Sequence, residues 1–237
     1  MAIPTEIKVI AFDADDTLWD CQSWFDEVER KCCEMLKPWA TAREVSEGLF
    51  DTEHRNLPLT GYGTKAFTLS LIENAIRISK GELTGDKVMQ LIDMGKELLR
   101  FPTTPLSEVK ETLEVLSQTR RYRLVVFTKG ELMDQEDKLR RSGLEGYFSY
   151  METVSNKTEQ EYRQLCENLH VAPEQTLMVG NSFRSDIIPA LETGAWAVHI
   201  PYHVVWALEK TEEYPHERLF KIQRFGELLE ILENKRV

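Results

Sequence analysis

IKVIAFDADDT, Ile7–Thr17, joins an apolar, β-branched run to a cluster of acids. The first six residues suit a short strand buried on both faces of a parallel sheet. The acids then stand at the strand's carboxyl end, the side on which open α/β sheets bind ligands. Asp13 and Asp15 are two residues apart, and a turn there can aim both carboxylates at one point. Closely spaced carboxylates repel each other, and a cation relieves them. The plainer reading is an acidic turn that caps a helix. Asp-x-Asp-x-Thr alone recurs by chance in roughly a few per cent of chains of this length. Its position directly after a strand is what gives it weight.

Further along, RLVVFT (Arg123–Thr128), TLMVG (Thr176–Gly180) and AVHI (Ala197–Ile200) read as strands of the same kind, and YFSYMETV (Tyr147–Val154) as a weaker one. Helical patterns fall between and after them, over Ser107–Gln118, Leu132–Arg141, Glu159–Asn168, Ser185–Glu192 and Gly226–Glu233. Strands alternating with helices predict βαβ units and a parallel sheet. Residues 19–104 differ in having no convincing strand. Phe67, Leu71, Ala75 and Ile78 follow helical spacing, as do Val88, Leu91, Ile92, Gly95, Leu98 and Leu99. LPLTGYG, Leu57–Gly63, is expected to break the helices. The reading is therefore an α/β core of residues 1–18 and 105–237, interrupted by an all-helical insert of residues 19–104.

Three more strand-end motifs bear on chemistry. Thr128 ends VVFT, where a hydroxyl and successive backbone N–H groups can bind phosphate oxygens. Lys157, in the loop SNKT, is by itself most simply a solvated charge. GNSFRSD, Gly180–Asp186, follows another apolar strand, and Asp186 either offers a hard oxygen to magnesium or caps the next helix.

Composition narrows the function classes. A net charge of −11 over 237 residues repels nucleic-acid phosphates and anionic lipid, which excludes both as main partners. An anionic metabolite would be repelled as well, so a phosphate site here needs a metal or local cations. Cys21, Cys32, Cys33 and Cys166 form neither a disulfide framework nor a metal spacing, and point to reduced thiols in a cytoplasmic protein. The N-terminal stretch has no signal-peptide or membrane-anchor pattern.

Taken in order, these motifs resemble those of the haloacid dehalogenase-like hydrolase superfamily. DADDT matches its first motif, Thr128 its second, Lys157 its third and GNSFRSD its fourth. The resemblance covers residues 1–18 and about 105–202, and the helical insert matches the superfamily's C1 cap in position and character. It implies a Rossmann-like sheet of order 5-4-1-2-3 with Asp13 on the central strand. It also implies Mg²⁺ held by Asp13, the Asp15 backbone carbonyl and Asp186. Asn181 stands where relatives often carry a charged metal ligand. Lys157 precedes Thr158 where relatives often have proline, which leaves Lys129 as the alternative lysine. Lys65, beside the glycine-rich break, is a candidate contact for an anionic substrate group.

The resemblance further implies magnesium-dependent hydrolysis of a small phosphorylated metabolite. Asp13 would be the nucleophile, Asp15 the general acid and base, and Thr128 and Lys157 the phosphate holders. Dehalogenases of the superfamily lack an acid at the position of Asp15, whereas its phosphatases keep it. A phosphomutase using the same acids and a non-catalytic phosphometabolite-binding protein are the competing readings. C1-capped relatives include monomers and dimers, so the resemblance sets no oligomeric state.

Overall fold

A computed structural model describes residues 3–233. They divide into two compact units, one of the residues up to Asp20 with those from Thr103 onward, the other Cys21–Pro102.

The first unit is built on a parallel sheet of six strands among the described residues, in the order β3-β2-β1-β4-β5-β6. These are β1 (Val9–Phe12), β2 (Arg123–Lys129), β3 (Tyr150–Val154), β4 (Thr176–Gly180), β5 (Trp196–His199) and β6 (Leu219–Lys221). Read from the other edge, this is the expected 5-4-1-2-3 sheet with β6 added beyond β5. Every residue of β1 is buried, as a strand flanked on both edges and covered on both faces must be. Val9 pairs with Arg123 on one side and Thr176 on the other. The ladder continues one residue further, through the Asp13 N–H to the Val179 carbonyl at 2.9 Å. The Asp13 side chain is thereby fixed at the carboxyl edge of the central strand.

Helices α5 (Val109–Thr119), α6 (Leu132–Ser142), α7 (Glu159–Leu169), α8 (Ile188–Thr193) and α9 (Glu227–Leu232) follow the strands. One core cluster joins Val9 and Ala11 of β1, Val125 and Phe127 of β2, and Tyr162, Leu165 and Leu169 of α7. The helix expected from Ser185 instead opens with a π-type turn, Phe183–Ile187, before α8. Such a turn often marks a functional segment.

The second unit contains α1 (Gln22–Leu36), α2 (Ala42–Thr60), α3 (Thr64–Ile78) and α4 (Gly85–Leu98). Val28, Leu36, Val45, Leu49, Leu71 and Leu91 are among the residues of its own apolar core. The α2 N-terminus carries a capping box, in which Thr41 accepts from the Glu44 N–H and Glu44 from the Thr41 N–H. A Cβ at Gly95 of α4 would lie 2.2 Å from Thr68 Oγ1 of α3, so only glycine permits this approach. The expected break, Leu57–Gly63, falls in its glycine half, between α2 and α3. Pro58 is tolerated inside the last turn of α2, and the chain leaves the helix at Gly61, whose φ of +68° is open to glycine.

Candidate active site

The turn after β1 is set by Asp16, which adopts a left-handed conformation with φ of 63°, one that Asp tolerates better than most residues. The N–H groups of Thr17 and Leu18 then return to the Ala14 carbonyl. This loop places the Asp13 and Asp15 side chains in separate environments, with Thr17 beside Asp13.

Asp13 is 8% exposed and held through both oxygens. Lys157 Nζ donates to Oδ1 at 2.6 Å, and the Thr17 hydroxyl lies 3.0 Å from Oδ2. Lys157 precedes α7, whose N-terminus is fixed by the Thr158–Glu161 capping box. The same ammonium lies 2.6 Å from Asp186 Oδ1. Asp186 Oδ2 accepts from the Ser182 N–H at 2.9 Å. A Cβ at Gly180 would lie 2.3 Å from that oxygen, so glycine at the end of β4 makes room for the carboxylate. Lys157 rather than Lys129 is therefore the lysine that meets Asp13.

Two buried carboxylates here share one ammonium. Burial, then repulsion from Asp186, pushes the Asp13 carboxyl up to about 7 against the pull of Lys157. The Lys157 ammonium is raised as well, since the two acids outweigh the burial that opposes its charge. A further cation suits this negative balance. Among the described residues no group of three or more His, Cys, Asp or Glu could hold a metal. Magnesium needs no such cage, because one or two carboxylates with waters suffice. Asp13 and Asp186, which meet at Lys157, are carboxylates that suit a hard, oxygen-preferring cation.

Asp15 faces other partners. Its Oδ1 accepts from Trp19 Nε1 at 2.8 Å, and its Oδ2 from Gln135 Nε2 at 2.8 Å. Lys138 Nζ lies 3.2 and 3.1 Å from the two oxygens. Burial works to raise the Asp15 carboxyl, but Lys138 and the hydrogen bonds from Gln135 and Trp19 hold it below the usual carboxylate value. Lys138 also pairs with Asp134 at 3.3 Å.

Thr128, at the end of β2, is buried, with its hydroxyl 3.3 Å from the Lys129 carbonyl. Lys129 donates to Ser185 Oγ at 2.8 Å and pairs with Glu209. Glu209 also accepts from Ser182 Oγ and Ser185 Oγ, each at 2.5 Å. The Asn181 N–H donates to Thr17 Oγ1 at 3.0 Å, and its amide oxygen lies 3.2 Å from the same hydroxyl. Lys65 stands exposed in the first turn of α3, in the helical unit.

Several residues of this cluster were not candidates on sequence alone. Gln135, Lys138 and Glu209 are polar residues in helical or loop segments, and periodicity assigns such residues to solvent. Trp19 carried the one usable signal, a ring N–H four residues beyond Asp15.

Comparisons with known proteins bear on the fold and the family. A glyceraldehyde 3-phosphate phosphatase of Pyrococcus furiosus is 25% identical, with the match covering 97% of this chain and 94% of the relative. One of Methanothermobacter thermautotrophicus is 26% identical over 81% of this chain and 84% of its own. The crystal structure of a haloacid dehalogenase-like family hydrolase from Xanthomonas campestris superposes with a TM-score of 0.85 at 29% identity, covering 97% of this chain and 93% of that one. L-2-haloacid dehalogenase from Xanthobacter autotrophicus, at 18% identity and a TM-score of 0.65 over 97% of this chain and 100% of its own, shares the fold. The family model described as haloacid dehalogenase-like hydrolase matches residues 7–194, from the first strand through the Gly180–Asp186 motif, and the chain belongs to that family.

Proposed function

We propose that the protein hydrolyses a small phosphate monoester through an aspartyl-phosphate on Asp13. The observation that carries this reading is the second acid, Asp15, two residues on and held independently of Asp13. A halide leaves without a proton, whereas the alkoxide of a phosphate ester needs one. The phosphatase names of the two archaeal relatives support the same choice, and make glyceraldehyde 3-phosphate the first ester to test.

In this reading an Asp13 oxygen attacks phosphorus as the bond to the ester oxygen breaks, and Asp15, ionised in the free site, relays the proton of a monoanionic phosphate ester to the departing alcohol. Water then attacks the phosphorus of the acyl phosphate and returns a proton to Asp15. Phosphate leaves and the Asp13 carboxylate is restored. Lys157 holds Asp13 in place, and Thr128 and Lys157 bind phosphate oxygens, with Lys129 at the rim. Asp13, Asp186 and the Asp15 carbonyl, with Asn181 adjacent, would hold Mg²⁺, which would supply charge neutralisation for the phosphoryl group.

The inserted helical segment, residues 19–104, acts as a C1-type cap that selects the substrate, with Lys65 offering a charge to an anionic group. Its insertion directly after the Asp13–Asp15 turn supports that role. Free, buried thiols at all four cysteines suit a cytoplasmic setting.

Acid quench of enzyme mixed with Mg²⁺ and ³²P-labelled ester is the test. Label mapping to Asp13, absent from Asp13→Asn, with release of inorganic phosphate is the expected result. Label passed to a second sugar hydroxyl instead would make the protein a mutase. Unlabelled enzyme that turns the ester over would end the covalent reading.

A further inference from the structure

The β2–α6 segment carries polar residues whose burial is not needed to build the sheet. Asp134, Gln135 and Lys138 are 7%, 2% and 2% exposed. Lys138 stands four residues after Asp134 and three after Gln135 on α6, the spacings at which helix side chains are neighbours. Burying a lysine is expensive unless it is paired, and Lys138 is paired twice, to Asp134 and to Asp15. Gln135 is equally committed, since its amide NH₂ bridges Asp15 Oδ2 and the Lys129 carbonyl, each at 2.8 Å. Gly130 fits this arrangement, with a φ of +129° and its Cβ position only 3.1 Å from Gln135 Nε2.

We propose that Lys138 and Gln135 are positioning residues for the proton-transfer step, fixing the Asp15 carboxyl from α6 while Trp19 fixes it from its own loop. This rests on the acid–base reading of Asp15. The partition of partners supports it. Asp13 and Asp186 share Lys157, whereas the Asp15 carboxylate accepts from Lys138, Gln135 and Trp19. One ammonium thus orients the group that would attack phosphorus, and another the group that would serve the leaving oxygen. A carboxyl free to rotate would deliver its proton less often at the productive angle, and such misplacement lowers rates sharply. Lys138 and Gln135 act only through Asp15.

The test reads the single-turnover rate of alcohol release, in Mg²⁺, for an alkyl phosphate and for p-nitrophenyl phosphate, whose leaving group scarcely needs a proton. Each variant is read at its own pH optimum, because removing Lys138 also eases protonation of Asp15, and there Lys138→Met is expected to slow the alkyl ester about tenfold or more, within the usual span of general-acid effects. The loss for p-nitrophenyl phosphate should be much smaller, KM should hold, and Lys138→Arg should recover most of the rate. Gln135→Met, which leaves no buried charge unpaired, should show the same selectivity and stands in if Lys138→Met folds poorly. In an Asp15→Asn background neither change should matter by more than about twofold, because residues acting through one group are not additive. Equal losses for the two esters, or losses that multiply with Asp15→Asn, would overturn the inference and leave the pair as structural support. If Asp15→Asn itself leaves both rates unchanged, the acid–base reading fails first.

Discussion

The Thr17 hydroxyl lies 3.0 Å from Asp13 Oδ2 and also accepts the Asn181 N–H at 3.0 Å, tying the end of β1 to the end of β4. Thr17→Val keeps the shape and removes both bonds. A buried donor left without a partner costs about 1–3 kcal/mol, so urea unfolding should register a loss of that size. kcat should fall with it, because one Asp13 oxygen loses its restraint. Thr17→Ser should restore both. Unchanged stability in Thr17→Val would show that another group takes up the Asn181 N–H.

Replacing Asp13 separates chemistry from stability. Asp13→Asn removes one of two buried acids that share Lys157, leaving Asp186 and Lys157 as a balanced pair. Turnover should vanish while the metal-free melting temperature holds or rises. More than a few per cent of wild-type kcat would remove Asp13 from the nucleophile's role.

Magnesium should raise the melting temperature of the wild type, as any ligand of the folded state does. The gain is about 2.7 kcal/mol at a hundred times Kd. Asp186→Asn should lose most of that rise, and excess EDTA should abolish it together with activity. Calcium should suppress turnover, since it takes more ligands at longer range than magnesium. A melting temperature indifferent to Mg²⁺ would count against a site at these carboxylates.

Glu209 gives a pH-dependent signature. Burial works against its charge, but Lys129 and the Ser182 and Ser185 hydroxyls outweigh it and hold its carboxyl below the ordinary 4.5. The unfolded chain therefore takes up the proton first as pH falls. The pair's contribution is complete above 4.5 and fades as pH drops through the lower folded value. Glu209→Gln should be less stable than wild type at pH 7 by about 1–3 kcal/mol, the cost of leaving a group of this half-buried pair without its partner. The gap should shrink well below pH 4.5. A gap independent of pH would mean that packing, not charge, is what the substitution disturbs.

The elements most legible in the sequence are those with the fewest environmental options. β1, β2 and β4 are short apolar runs because they are covered on both faces, and that pattern has no exposed alternative. β6 went unread because its three residues, Leu219–Lys221, are half-buried or exposed and carry no run. The break over Leu57–Gly63 was legible, although Gly61 rather than Pro58 ends α2, since Pro58 sits inside its last turn. Asp13, Asp15 and Asp186 were visible as acids at strand ends. Lys138 was not, because a lysine on a helix reads as solvated until the carboxylates that bury it are placed. Those carboxylates belong one to its own helix and one to a loop 123 residues earlier.

The central position of β1 bears on how the chain is made. Val9 leaves the ribosome first, yet its partners are Arg123 and Thr176. At ordinary synthesis rates of about 5–20 residues per second, both edges of this strand wait roughly ten to thirty seconds for the last of them. Cys21–Pro102, whose core is its own, can complete its local helix contacts in that interval. IKVIAF cannot, and it is a β-prone segment whose unpaired N–H and C=O groups can template association. Asp13, Asp15 and Asp16 directly follow it, and charges flanking an apolar strand are what opposes such association while its later partners are still being made.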